Sequence, residues 1–275
     1  MYEEGNEEAG YVPPAGGFKA RLSYHFEGLI PLILILIVVV LAGAWLGFWD
    51  IPYITHSAPA KMLVIGQPSQ ETTAVLDDLK DLVQYRIRSA DSLRISPKEQ
   101  LAQYDIIMLD QSNSTAGPFV SRALGEAIRG YVKKGGKLII VKNSGIFREG
   151  APEIVGWLAN MGDLAPVECV PDKQNVPTCV QPIWVTGELI RIDFEHPIME
   201  GIEKVPALPG DPPLSVEVFD VAVKGNEIAY IKDLYSTKYY PGIVEKNLIL
   251  GKVIYFNYDP GKTPGILQKT IRYLR

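Results

Sequence analysis

Residues 104–146 read YDIIMLDQSNSTAGPFVSRALGEAIRGYVKKGGKLIIVKNSGI, and their patterning decides the fold. Asp105–Asp110 is a short apolar run closed by an acid, the pattern of a strand buried on both faces. Val120, Leu124, Ala127, Ile128 and Tyr131 recur at helical spacing and share one face. Gly135-Gly136 stops that helix, because glycine enters the left-handed conformation of a helix end without a Cβ clash. Lys137–Lys142 is a second apolar run. Strand, helix, strand is the repeating unit of a parallel sheet.

The alternation extends toward the N-terminus. Lys61–Gly66 is an apolar run ending in glycine and predicts a strand. Glu71–Gln84 predicts a helix with Val75, Leu76, Leu79, Leu82 and Val83 on one face. Tyr85–Ala90 predicts a weaker strand, and Ser96-Pro97-Lys98-Glu99 a helix start with proline at the first helical position. The whole predicts an α/β fold, a doubly wound, mostly parallel sheet with helices on both faces. Pro152–Met161 predicts another helix. From about Val167 the pattern turns β-rich, with runs at Ile183–Thr186, Leu189–Phe194, Leu214–Val223, Glu227–Lys232, Leu248–Leu250 and Val253–Asn257. An amphipathic helix at Pro264–Leu274 closes the chain.

Leu29–Trp49 carries no charge over 21 residues. At about 1.5 Å per residue such a stretch spans the roughly 30 Å hydrocarbon core of a bilayer. Trp45, Trp49 and Tyr53 sit at its C-terminal end, where amphipathic rings favour the interface. A cleaved signal peptide is the alternative. The acidic head (Glu3, Glu4, Glu7, Glu8) and the length of the apolar stretch argue against it. The sequence therefore divides into a disordered cytoplasmic tail (1–28), one transmembrane helix (29–49), a linker (50–60) and an α/β domain (61–275). Lys19 and Arg21 precede the helix and no cation follows it until Lys61, so the positive-inside rule places the N-terminus in the cytoplasm and the domain outside.

Cys169 and Cys179 bracket the loop CVPDKQNVPTC. An oxidising compartment would pair them as a disulfide; two separate buried thiols is the other reading. Asn113-Ser114-Thr115 is a formal glycosylation sequon. The net charge of −5, with no basic run, gives no footprint for nucleic acid. Three histidines and two cysteines build no familiar metal site. No P-loop and no G-x-G-x-x-G stands in the sequence, so no cofactor is expected.

Three stretches carry a resemblance: residues 104–146, EHPIMEGI at 195–202 and GKVIYFNYDPG at 251–261. In their order and spacing they resemble the class I glutamine amidotransferase-like superfamily, with its flavodoxin-like sheet. The branch most similar holds trehalose-utilisation (ThuA-like) proteins and membrane-tethered accessory modules of gliding machinery and ABC transporters. The resemblance covers nearly all of residues 61–275. It implies a nucleophile elbow bearing cysteine after the KLIIVK strand. Here the turn is Lys142-Asn143-Ser144-Gly145, and both cysteines lie elsewhere. A thiolate amidotransferase is therefore excluded.

Ser144 is the substitute nucleophile on paper, with His196 as base and Glu195 or Asp193 as the orienting acid. Lys142 breaks the G-x-S-x-G pattern, and His-Pro-Ile reads equally as a structural turn. Gln67, Asp110, Gln111, Ser112 and Asn143 end strands at the edge where doubly wound sheets bind ligands. They read either as a polar ligand site or as caps and turns. Tyr235, Tyr239 and Tyr240 read as an exposed contact patch or as a loop over the sheet edge. Ala42-Gly43-Ala44 and Gly47 would let a second helix approach closely. The sequence thus predicts a pseudoenzyme: a membrane-tethered, non-catalytic binding or scaffold module. It would be an accessory subunit of a membrane or envelope complex, recognising a protein partner or a glycan. The alternative is a hydrolase or carbohydrate-processing enzyme using Ser144 and His196.

Overall fold

The four apolar runs of the N-terminal half form the heart of one ten-stranded sheet. The computed structural model describes residues 31–41 and 58–275. The strands of the sheet are β1 (Ala60–Gly66), β2 (Val83–Arg88), β3 (Ile106–Asp110), β4 (Lys137–Val141), β5 (Ile183–Arg191), β6 (Lys204–Val205), β7 (Leu214–Val218), β8 (Asn226–Asp233), β9 (Tyr239–Asn247) and β10 (Lys252–Phe256). Their order is β6-β5-β8-β9-β10-β4-β3-β1-β2, with β7 also paired to β5. From β10 to β2 every pairing is parallel. From β10 to β6 and β7 every pairing is antiparallel. The fold is a mixed α/β sheet with a parallel core and β-rich C-terminal additions.

The helices are α1 (Gln70–Asp78), α2 (Pro97–Leu101), α3 (Arg122–Lys133), α4 (Trp157–Met161) and α5 (Pro264–Leu274). Strand alternation divides the core in two. Ile106, Met108, Ile139 and Val141 face α1 and α5, where Leu76, Ile266, Leu267 and Ile271 cover them. Ile107, Leu109, Leu138 and Ile140 face the other way, under Leu124, Ile128, Trp157 and Met161. Both faces of the parallel strands are buried, which explains why they read as unbroken apolar runs rather than as alternation.

Four expectations change. The helix at 71–84 ends at Asp78, and Val83 starts β2 opposite Ala60. Asp77 and Asp78 stand at its C-terminal end with no cation in the last turn, where the helix dipole disfavours acids. The helix at 152–161 is only α4. Ala151–Val155 instead pairs with Phe147–Arg148, and Gly156 at φ +106° makes the turn between them and α4. The two runs join in one strand, Ile183–Arg191, continuous through Gly187, where a Cβ would lie 2.0 Å from the Lys232 carbonyl oxygen; residues 192–194 lie beyond it. Leu248–Leu250 is not a strand but the turn between β9 and β10. The strand is β9, which carries Tyr239 outward and Tyr240 inward; Tyr235 is exposed before it.

Residues 31–41 belong to a separate unit and are helical, with exposed apolar side chains. Among the described residues no helix is long and apolar enough to cross a membrane. The tail 1–28, the rest of the charge-free stretch 29–49 and linker residues 50–57 lie outside the described residues.

Candidate functional site

The carboxyl ends of β1, β3 and β4 bring Gln67, Asp110, Gln111, Ser112, Asn143 and Ser144 to one edge of the sheet. Gly66 stands opposite Asp110 across β1 and β3. The Asn113 amide donates to the Gln67 carbonyl at 3.1 Å. Gly66 has φ +121°, and a Cβ there would meet the Asp110 carbonyl oxygen at 2.1 Å, so only glycine lets the two strand ends close.

The residue in the elbow conformation is Lys142, not Ser144. Lys142 has φ +52°, a left-handed geometry that disfavours a side chain by roughly 1–2 kcal/mol. Its amide donates to the Phe256 carbonyl at 2.7 Å, which ties the turn to β10. Its ammonium is ion-paired with Glu217 on β7. A lysine therefore fills the strained position at the end of β4, and its charge is already neutralised.

Ser144 is fully buried. Its Oγ accepts from the Gln111 amide at 2.8 Å, and its carbonyl accepts from Trp157 Nε1 at 2.8 Å. Gln111 braces the same turn: its Oε1 accepts from the Gly145 amide at 2.9 Å and its Nε2 donates to the Phe119 carbonyl at 2.8 Å. Ser144 and Gln111 are consumed in holding the turn, the cap-and-brace role that Ser and Gln side chains take beside free backbone groups.

His196 lies on the opposite face of the sheet, against Tyr273 of α5, with ring centroids 4.9 Å apart. Its Nδ1 accepts from the Ile198 amide at 3.2 Å, and its Nε2 lies 3.2 Å from Glu245 Oε2. Nδ1 as acceptor places the proton on Nε2, facing the carboxylate, so no ring lone pair is left for a serine proton. Glu195 is exposed, with its amide on Asp193 Oδ1 at 3.0 Å. The Ser144–His196 pair, weighed from the sequence, is not assembled.

Glu245 also accepts from Tyr273 at 2.7 Å and from Asn247 at 3.0 Å. Burial pushes its carboxyl up, but the hydrogen bonds from His196 and Tyr273 outweigh this and hold it below the usual glutamate value. This buried set locks the 195–199 turn onto α5.

Asp110 is almost wholly buried, and burial pushes its carboxyl up to about 6, with the Asp259 charge adding to the rise. Its Oδ1 accepts from the Ser112 amide at 3.0 Å; its Oδ2 and the Ser112 hydroxyl, both buried, make no hydrogen bond among the described residues. Gln67 is exposed and Asn143 half-buried on the same edge. This is a polar edge able to donate to and accept from a ligand, without a nucleophile and base in contact. Among the described residues no group of three His, Cys, Asp or Glu is placed to hold a metal.

Asn257, just beyond β10, was not foreseen. Its Oδ1 accepts from the Phe219 amide and from Tyr255, each at 2.9 Å. Its Nδ2 donates to the Phe219 and Pro241 carbonyls at 2.8 and 2.9 Å. The signal was the polar residue interrupting VIYFNY. Cys169 and Cys179 form a disulfide, with Cα atoms 5.2 Å apart.

No family model and no curated protein matches the chain. Among solved structures, a β-galactosidase from Bacillus circulans sp. alkalophilus is similar, with TM-score 0.52 and 16% identity over 78% of this chain. This chain corresponds to only 30% of that enzyme. A GMP synthase-type protein from Thermoplasma acidophilum has TM-score 0.43 and 12% identity, covering 80% of this chain and 96% of its own. At 16% identity the likeness to the β-galactosidase shows a shared α/β fold alone.

Proposed function

We propose that this chain is a membrane-tethered, non-catalytic binding or scaffold module, an accessory subunit of a membrane or envelope complex. The observation that carries the reading is Lys142. The elbow, where amidotransferase-like enzymes place their nucleophile, holds a lysine whose ammonium is paired with Glu217. A nucleophilic mechanism needs a nucleophile with a base in reach and a third group to orient it. Ser144 is bonded to Gln111, and His196 to Ile198 and Glu245.

Within the superfamily, we assign the chain to the ThuA-like, transporter-accessory branch, on the three sequence stretches quoted above. The charge-free residues 29–49 supply the anchor. The domain lies outside the cytoplasm, supported by the cation asymmetry and by the Cys169–Cys179 disulfide, a bond that oxidising compartments sustain. The ligand is a protein subunit or a glycan recognised at the polar edge of Gln67, Asp110, Ser112 and Asn143.

The full chain should purify from its native membranes in mild detergent as part of an assembly of fixed stoichiometry. Bulky residues at Gly43 and Gly47 should break it if the helix contributes. Recovery as a lone chain under every mild detergent would contradict the proposal.

A further inference from the structure

The edge of the sheet opposite the polar site carries features that neither the core nor that site uses. Met62, Ile106, Lys137, Lys252 and Asn247 lie in one row across five strands, at the amino ends of the parallel strands. Beyond this row stand the entry of the chain into β1, at Ala60 and Lys61, and the β9–β10 turn of residues 248–251. Ile249 is completely exposed at the tip and Leu250 is 70% exposed.

The turn is firmly held. Leu248 packs on the α3 side of the core, and its amide donates to the Gly251 carbonyl at 2.9 Å. At Gly251 a Cβ would lie 2.1 Å from the Val132 carbonyl oxygen. A fixed turn thus presents two aliphatic side chains to solvent, without the ordering penalty a floppy loop would carry on burial.

Cations stand on the same edge. Lys133 and Lys134 at the end of α3 are exposed, and Gly135 after them abuts Leu250. Arg272 at the end of α5 and Lys61 before the row are exposed too. A groove of about 540 Å³ opens on the same edge, lined by Lys98, Lys134 and Lys137 together with Tyr104, Asp105 and Glu126. The Asp105 carboxylate is engaged by the Lys61 amide at 2.8 Å.

We infer that this edge docks on an anionic lipid surface, with Ile249 and Leu250 entering the headgroup boundary and the flanking lysines binding lipid phosphates. Two observations select a bilayer as the occupant. The charge-free stretch 29–49 joins the domain at this edge through residues 50–59. Ten residues span at most about 35 Å, so the bilayer stays within reach. Aliphatic side chains on an edge that also carries exposed lysine and arginine are the composition of an interfacial membrane contact. The inference rests on the reading of residues 29–49 as an anchor. Docking would fix the polar carboxyl edge facing away from the membrane, toward a partner.

The test places an environment-sensitive fluorophore on Ile249→Cys in the otherwise intact, oxidised full chain, with Thr115→Cys on the far edge as reference. Each is reconstituted into vesicles of phosphatidylcholine alone and with phosphatidylglycerol. The Ile249 probe should brighten several-fold and shift blue with phosphatidylglycerol, respond less without it, and be quenched by lipid-borne quenchers. The Thr115 probe should not change. Leu250→Asp combined with Lys133→Glu and Lys134→Glu should abolish the response. Chain retained in the vesicles after carbonate washing, with an Ile249 probe as wet as the Thr115 probe, overturns docking while leaving the anchor intact. So does a probe that dries only when a partner protein is added. Chain stripped by carbonate overturns the anchor, and docking with it.

Discussion

Lys142, at the end of the fourth strand, is ion-paired with Glu217 on the seventh, so the elbow of the parallel core is tied to the antiparallel extension by a single charge pair. Both side chains are largely withdrawn from water, at 11% and 25% exposure. Removing one leaves the other charged and poorly solvated, at about 1–3 kcal/mol. Lys142→Ala should therefore lower the denaturant midpoint. Lys142→Gly should lower it less, by the equivalent of about 1 kcal/mol of stability, because glycine adopts φ +52° without strain. Equal midpoints would show that the left-handed turn carries no strain.

Asp110 should make stability fall as the pH rises. Its folded pKa, about 6, lies above the unfolded value near 3.8. Between these values the folded chain holds a proton that the unfolded chain has released, so stability declines from about pH 4 to pH 6 and stays lower above. Two pKa units correspond to about 3 kcal/mol. Asp110→Asn should flatten this part of the stability–pH curve and raise the midpoint at pH 7. A variant less stable than the parent at pH 7 would mean that the carboxylate is compensated by something outside the chain.

Asn257 makes four hydrogen bonds from a site closed to water. Asn257→Ala strands the buried backbone amide and carbonyl of Phe219 and frees the part-buried Pro241 carbonyl, at about 3 kcal/mol. Thermal unfolding should show the loss directly. A small change would mean that water refills the space.

The Cys169–Cys179 bond closes a ten-residue separation. Restricting the unfolded chain over a loop of that size contributes about 2–3 kcal/mol. Reductant, or the double change Cys169→Ser with Cys179→Ser, should lower the melting temperature together and to the same extent. Thiols that label freely in the untreated protein would contradict the pairing.

The parallel core was legible because its strands are buried on both faces and leave unbroken runs such as DIIMLD and KLIIVK. The ninth strand was not, because Tyr239, Pro241 and Gly242 carry turn and surface signals. Only pairing with Ile231 and Phe256 on either side makes them a strand. The candidate edge was half legible. Asp110, Gln111, Ser112 and Ser144 meet there as strand ends should, but which of them are braces depends on backbone donors that sequence does not display. The elbow lysine was seen only as a defect in a serine motif. Its positive φ and its partner 75 residues away are facts of three-dimensional closure.

The proposed function requires that the elbow carry no working nucleophile. The most direct measurement is turnover by the full chain in detergent micelles, scored as ammonia release from glutamine and hydrolysis of activated esters. Lys142→Ala and Ser144→Ala are run beside it. No turnover above buffer is expected for any of the three. Turnover by the parent that either substitution abolishes would contradict the proposed function and make the elbow an active site.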